Sequence, residues 1–120
     1  MRRFFESFTY AFKGLFLLFR HETNARVHLF FAIATVTSGF YFSISSSEWF
    51  AVIICIGMVL AAEAFNTAIE KIADYIQPEK DPRIGLIKDL AAGAVLFTAI
   101  SALIVGLMIF LPQFLSIITG

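Results

Sequence analysis

Glu63, Asn66, Glu70 and Asp74 recur at intervals of three, four and four within the run Glu63-Ala-Phe-Asn66-Thr67-Ala-Ile-Glu70-Lys-Ile-Ala-Asp74. On an α-helix these intervals stack the side chains in one narrow stripe, with Thr67 at its edge. Two further acidic sites can join that face: Glu22, in Arg20-His21-Glu22-Thr23-Asn24-Ala25-Arg26, and the pair Lys88-Asp89. Carboxylates accompanied by a lysine suit Mg²⁺ and a polyphosphate, because Mg²⁺ takes one or two carboxylates and completes its shell with phosphate oxygens. The structural alternative makes Asn66 and Thr67 interhelical hydrogen-bonding groups, Glu63 the partner of a basic residue in an oligomer, and Asp74 an interfacial charge.

The elements that carry these residues are apolar. Of 120 residues, 59% are hydrophobic and 15% charged, and the mean hydropathy is +0.85. Soluble domains have about 45–50% apolar and about 25% charged residues, so a soluble monomer is disfavoured. Three predominantly apolar runs, the second of them uncharged only as far as Glu63, are long enough to span a bilayer, which takes about 20 residues. They are 29–47, 49–76 and 90–111, the first two separated by a polar turn at Ser45-Ser46-Ser47 with Trp49 as an interfacial anchor. Gln77-Pro78 stops the second helix and a loop follows to Lys88. The chain therefore reads as one membrane domain over 1–120, with no room for a separate soluble one. Glu63 is about fourteen residues beyond Trp49, roughly 21 Å along a helix. An ionisable group at that depth is by default a functional candidate.

The net charge is zero, from nine basic and nine acidic residues, but the charges are unevenly placed. Arg2, Arg3, Lys13, Arg20 and Arg26 precede the first span, while Lys71, Lys80, Arg83 and Lys88 flank the second loop. With three spans, all nine fall on one side, which the positive-inside rule makes cytoplasmic. Residues 1–26 form a separate element, in which Phe4, Phe8, Phe12, Leu15 and Phe19 recur at helical spacing among basic residues. This pattern predicts an amphipathic helix lying in the cytoplasmic interface. The expected class is an all-α membrane protein: one N-terminal surface helix and three transmembrane helices.

Several function classes lack support. No P-loop, GxGxxG, protein-kinase HRD or DFG, or HExxH motif is present. The basic residues lie along a membrane flank, so no nucleic-acid partner is expected. Cys55 is the single cysteine, which rules out a disulfide framework within the chain. No cleavable leader is expected, since no A-x-A-like site follows a short apolar core near the start. His21 and His28 read as non-ligands. A proton- or ion-conducting protein with Glu63 and Glu70 as relay groups is the rival reading. It calls for polar groups across the whole membrane, yet the outer halves of the spans offer little beyond Ser38, Ser43, Thr98, Ser101 and the boundary residue Glu48.

Lys13-Gly14-Leu15, Glu22-x-x-x-Arg26, the run from Glu63 to Asp74, and Lys88-Asp89 followed by Ala91-Ala92-Gly93-Ala94-Val95 lie in this order along nearly the whole chain. In these residues the chain resembles the small prokaryotic diacylglycerol kinase/undecaprenol kinase family of integral-membrane lipid kinases. The resemblance implies a homotrimer with active sites shared between subunits, ATP as phosphate donor, Mg²⁺ as cofactor and a site in the bacterial cytoplasmic membrane. It also implies roles. Glu63 would be the general base at the lipid hydroxyl, Glu22 and Glu70 the Mg²⁺ ligands at the nucleotide, and Asn66 would orient Glu63 or the phosphate. Lys88, Asp89, Tyr10 and Glu79 match nucleotide-contacting positions, and Arg3 matches a basic position near the lipid or nucleotide. Arg26-Val27-His28 is similar to the Gram-positive undecaprenol kinases, whereas the proteobacterial diacylglycerol kinases carry an acidic residue where His28 stands. Undecaprenol is thus the expected lipid and diacylglycerol the next.

Overall fold

The computed structural model of the protein has four helices: α1 (Arg2–His21), α2 (Thr23–Phe42), α3 (Ser46–Ile76) and α4 (Pro82–Thr119). The last three are long and apolar enough to cross a membrane. The helical class and the number of spanning-length helices agree with the sequence reading. Their boundaries differ at each connection, for local reasons.

The first helix stops short of residue 26, because Glu22 adopts an extended backbone (φ −105°, ψ 116°) between α1 and α2. Arg26 therefore belongs to the first turn of α2. Its Nη1 donates to the carbonyl oxygens of Phe19 and Arg20 at 3.0 and 2.7 Å. Those are among the carbonyls that the end of a helix leaves without partners, so Arg26 closes α1 while starting α2.

The α2–α3 turn falls at 43–45 rather than at the three serines 45–47. Ser43 takes the left-handed conformation (φ 51°, ψ 54°) and ends α2 five residues before the expected limit. Ser45 Oγ then accepts from the Glu48 N–H at 3.2 Å, while Glu48 Oε1 accepts from the Ser45 N–H at 2.9 Å. This reciprocal capping box starts α3 at Ser46. Trp49 folds back onto α2, its ring 4.9 Å from that of Phe40. Gly39 makes this contact possible, since a Cβ there would sit 2.7 Å from the indole.

The final helix begins at Pro82, well before residue 90, so the loop shrinks to residues 77–81 and Lys88-Asp89 lies within α4. Asp81 is the N-cap, its Oδ1 accepting from the Arg83 N–H at 2.8 Å. Pro82 suits the first helical position because its missing N–H has no partner there anyway. At the other end α4 continues through Pro112 to Thr119, beyond the limit expected at residue 111. Proline is tolerated inside apolar helices of this kind.

α3 is the central element, packing mainly on α4 and secondarily on α2. Ile44, Val52 and Ile109 form a small core beside the serine turn, flanked by Phe42, Trp49 and Phe110. The opposite end of the bundle holds the buried polar residues. The chain is a slab of 57 × 43 × 22 Å, about two helix diameters thick at 10–12 Å each. It exposes 9212 Å², where a soluble chain of 13.4 kDa exposes about 6,500 Å². Its radius of gyration is 17.7 Å, against about 14 Å for a compact chain of this length. Phe30, Phe65, Leu96, Phe97 and Met108 are among the large side chains left uncovered. Apolar surface on this scale needs lipid or further protein around it.

Candidate active site

The polar residues of α3 that face inward are Glu63, Asn66 and Thr67, which are 3, 7 and 7% exposed. The helical spacing read from the sequence accounts for this: the same face also carries Val52, Val59 and Ala73, all buried. Ala25 of α2 and Ala91 and Val95 of α4 are buried as well. Small residues at such contacts let helices approach closely.

Glu63 is the centre of the cluster. His28 on α2 brings Nε2 to 3.6 Å from Glu63 Oε2, and the fields of His28, Glu70 and Glu22 all reach this carboxylate. Glu22 sits at the α1–α2 break and Glu70 two turns along α3 toward the loop. Both are partly buried, and neither has a cationic partner. Asn66 Nδ2 donates to Glu70 Oε1 at 3.3 Å, so its amide holds Glu70 and not Glu63. Asn66 Oδ1 and Thr67 Oγ1 are buried without any partner. A buried polar atom left unsatisfied costs about 1–3 kcal/mol, so this polar centre is kept at the expense of stability.

Other residues singled out from the sequence lie apart. Lys88 Nζ donates to Asp74 Oδ1 and ties α4 to α3 at the loop end of the bundle. Asp89, one residue on, faces away, in an open depression of α4 lined by Leu86, Leu90, Gly93, Ala94 and Phe97. Arg3 and Tyr10 are exposed on α1 and Glu79 is exposed in the 77–81 loop; none makes an ion pair or side-chain hydrogen bond within the chain. Sequence reasoning read His28 as a non-ligand and as a mark of the undecaprenol kinase branch, and did not foresee its contact with Glu63. The available signal was its place, one residue before a long uncharged run, where an imidazole enters the membrane with the helix.

A groove of about 430 Å³ opens beside this cluster, between α2, α3 and α4. His28 lines one end, and Phe31, Val59, Leu60, Ala102 and Leu103 are among its mostly apolar walls. The protein thus joins a buried carboxylate, two carboxylates free of cations and an apolar channel. No three His, Cys, Asp or Glu side chains converge to hold a metal ion unaided. Two hard oxygen donors such as Glu22 and Glu70 do fit Mg²⁺, which usually retains waters and shares substrate phosphates.

An all-helical chain with three spanning-length apolar helices and carboxylates inside one of them is an integral membrane protein with a one-sided polar site. The sequence profile described as prokaryotic diacylglycerol kinase matches residues 9–110, and the chain belongs to that family of lipid kinases. It is 39% identical over 113 residues to the undecaprenol kinase of Bacillus subtilis (strain 168), covering 94% of this chain and 92% of that protein. It is 34% identical over 112 residues to the diacylglycerol kinase of Synechocystis sp. (strain ATCC 27184 / PCC 6803 / Kazusa), covering 92% of this chain and 64% of that protein. Membership makes the protein a phosphotransferase that needs a nucleotide co-substrate.

Proposed function

We propose that the protein transfers the γ-phosphate of ATP to the hydroxyl of a membrane lipid alcohol at the cytoplasmic face, with undecaprenol preferred and diacylglycerol second. The observation that carries this reading is the position of Glu63, buried beside His28, whose imidazole lines the end of the apolar groove. A lipid tail in that groove would bring its hydroxyl to Glu63, while the nucleotide arrives from the loop end. The undecaprenol preference is supported by the higher identity to the undecaprenol kinase and the nearly full coverage of both chains.

Glu63 takes the hydroxyl proton as the lipid oxygen bonds to the γ-phosphorus and the bond to the bridging oxygen of ADP breaks. General-base assistance of this kind is worth about 10²–10⁴-fold. Bound Mg²⁺ would neutralise phosphate charge, with Glu22 and Glu70 as its protein ligands. Asn66 keeps Glu70 oriented through its amide N–H. Lys88, Asp89, Tyr10 and Glu79 contact the nucleotide, and Arg3 lies near lipid or nucleotide. Because Asp89, Tyr10, Glu79 and Arg3 have no partners within one chain, a homotrimer with shared sites fits them best. The large uncovered apolar surface supports the same assembly. α1 lies in the cytoplasmic interface as an amphipathic helix, its phenylalanines in the acyl region and its basic residues among headgroups.

The rival conducting role gains nothing from the outer halves of the spans. Ser38, Thr98 and Ser101 each donate to a carbonyl of their own helix, at 2.8, 2.8 and 3.0 Å, instead of forming a chain of sites. Side-by-side rates with undecaprenol and dioleoylglycerol in mixed micelles test the substrate. The expected result is a higher kcat/KM for undecaprenol, with Ala102→Phe in the groove raising the KM for lipid and leaving the KM for ATP unchanged. Equal or higher kcat/KM for dioleoylglycerol overturns the preference.

A further inference from the structure

We propose that His28 is a positioning residue for Glu63, turning one oxygen of its carboxylate toward the lipid hydroxyl. This rests on the kinase reading with Glu63 as base, but it assigns a role to a residue outside the carboxylate stripe. Glu63 is buried, with its side chain 4% exposed, and no side-chain hydrogen bond within the chain restrains it. Asn66, its polar neighbour on α3, is engaged with Glu70. The imidazole of His28 is the only cationic or potentially cationic group within ion-pair distance, with Nε2 facing Oε2 at 3.6 Å. That separation exceeds a hydrogen bond, and contacts of this kind commonly tighten once substrate is bound.

The position of the imidazole gives the contact a consequence. His28 lines the end of the groove, so it touches both the base and the path by which a lipid chain arrives. Engagement of Oε2 by His28 leaves Oε1 for the hydroxyl. Glu70 and Glu22 are the other charged groups around Glu63, and both are acidic, so neither can hold its carboxylate by attraction. Without the imidazole the carboxylate is free to rotate away from its two acidic neighbours. A displacement of about 1 Å at a reacting group can cost about 10²-fold in rate.

His28→Leu and His28→Gln separate positioning from packing. Leucine fills the groove wall without a polar nitrogen, while the glutamine amide nitrogen reaches about as far as Nε2. With undecaprenol and ATP in mixed micelles, His28→Leu is expected to lose about ten- to a hundredfold in kcat, with the KM for ATP unchanged. His28→Gln should recover most of that loss. Wild-type kcat in His28→Leu, or a glutamine variant no better than the leucine one, overturns the role. A second measurement needs no turnover: the ¹⁵N ring resonances of His28, but not those of His21, should move on Glu63→Gln. An unmoved His28 signal also overturns the contact. If the wild type transfers no phosphate although His28 responds to Glu63→Gln, the kinase reading fails and the catalytic role falls with it, while the pairing stands.

Discussion

Glu63 is an acidic side chain that a membrane helix keeps at a cost. An ionisable group at the centre of a span costs about 2.5–3.5 kcal/mol or more on insertion scales. Its neighbours explain why it stands there: an imidazole 3.6 Å away, two further carboxylates whose fields reach it, and an apolar groove alongside. The helical spacing in the sequence placed Glu63, Asn66 and Glu70 on one face, and the structure joins Asn66 to Glu70 on that face. The partnership with His28 was not legible, because it crosses from α2 to α3 and depends on how the two helices pack. The pairing of Asp74 with Lys88 escaped the sequence reading for the same reason: fourteen residues separate them, and only the α3–α4 packing brings them together. If Glu22 and Glu70 hold Mg²⁺ at the nucleotide, Glu22→Gln and Glu70→Gln should each shift the Mg²⁺ dependence of activity to higher concentration. Excess Mg²⁺ should restore part of the rate. A Mg²⁺ titration that superimposes on the wild type contradicts the assignment.

The helices were easier to read than their ends. Predominantly apolar runs of spanning length identify α2, α3 and α4, since in a bilayer a single segment can satisfy its backbone polar groups only as a helix. Their termini depend on side-chain capping that hydropathy does not register. The Ser45–Glu48 box starts α3 three residues ahead of Trp49, and Asp81 with Pro82 starts α4 inside what hydropathy reads as loop. Asp81 also makes a pH prediction. The Arg83 side chain and N–H donate to its carboxylate and hold its pKa below the ordinary carboxylate range. A carboxylate with a lowered folded-state pKa adds stability above its unfolded value, and the gain is lost as pH falls through the folded value. The unfolding temperature of the wild type in micelles should therefore drop more on acidification from about pH 5 to about pH 3 than that of Asp81→Asn. Parallel curves for the two proteins would show that the Asp81–Arg83 contact contributes nothing at the start of α4.

At the scale of the whole molecule, the chain does not close on itself. It exposes 9212 Å² in a slab 22 Å thick, and Tyr10, Glu79 and Asp89, which match nucleotide-contacting positions, are exposed without an ion-pair or side-chain hydrogen-bond partner in the chain. Under the proposed trimer, lipid around the spans and neighbouring copies at the site would account for both facts. With three crossings, the α2–α3 turn and the 77–81 loop must emerge on opposite sides of the membrane. All nine basic residues lie on or near the loop side, and the proposed orientation, which follows the positive-inside rule, makes that side cytoplasmic. A membrane-impermeant thiol reagent applied to intact cells should label Ser43→Cys and spare Glu79→Cys, and the pattern should reverse in inside-out vesicles. Labelling of Glu79→Cys in intact cells would invert the topology and remove the nucleotide from the carboxylate side. Cross-linking in micelles is expected to stop at three copies, and a species that remains a single chain would leave Asp89 and Tyr10 without a site to serve.

The most direct test of the central assignment is phosphate transfer from γ-labelled ATP to undecaprenol in mixed micelles, measured for the wild type and Glu63→Gln at equal folded concentration. A lipid kinase with Glu63 as its base labels the lipid with the wild type and loses about 10²-fold or more of that rate with the glutamine variant, while the KM for ATP stays close to the wild-type value. Labelled lipid formed equally fast by Glu63→Gln would contradict the base, and no labelled lipid with the wild type, on undecaprenol or diacylglycerol, would contradict the kinase.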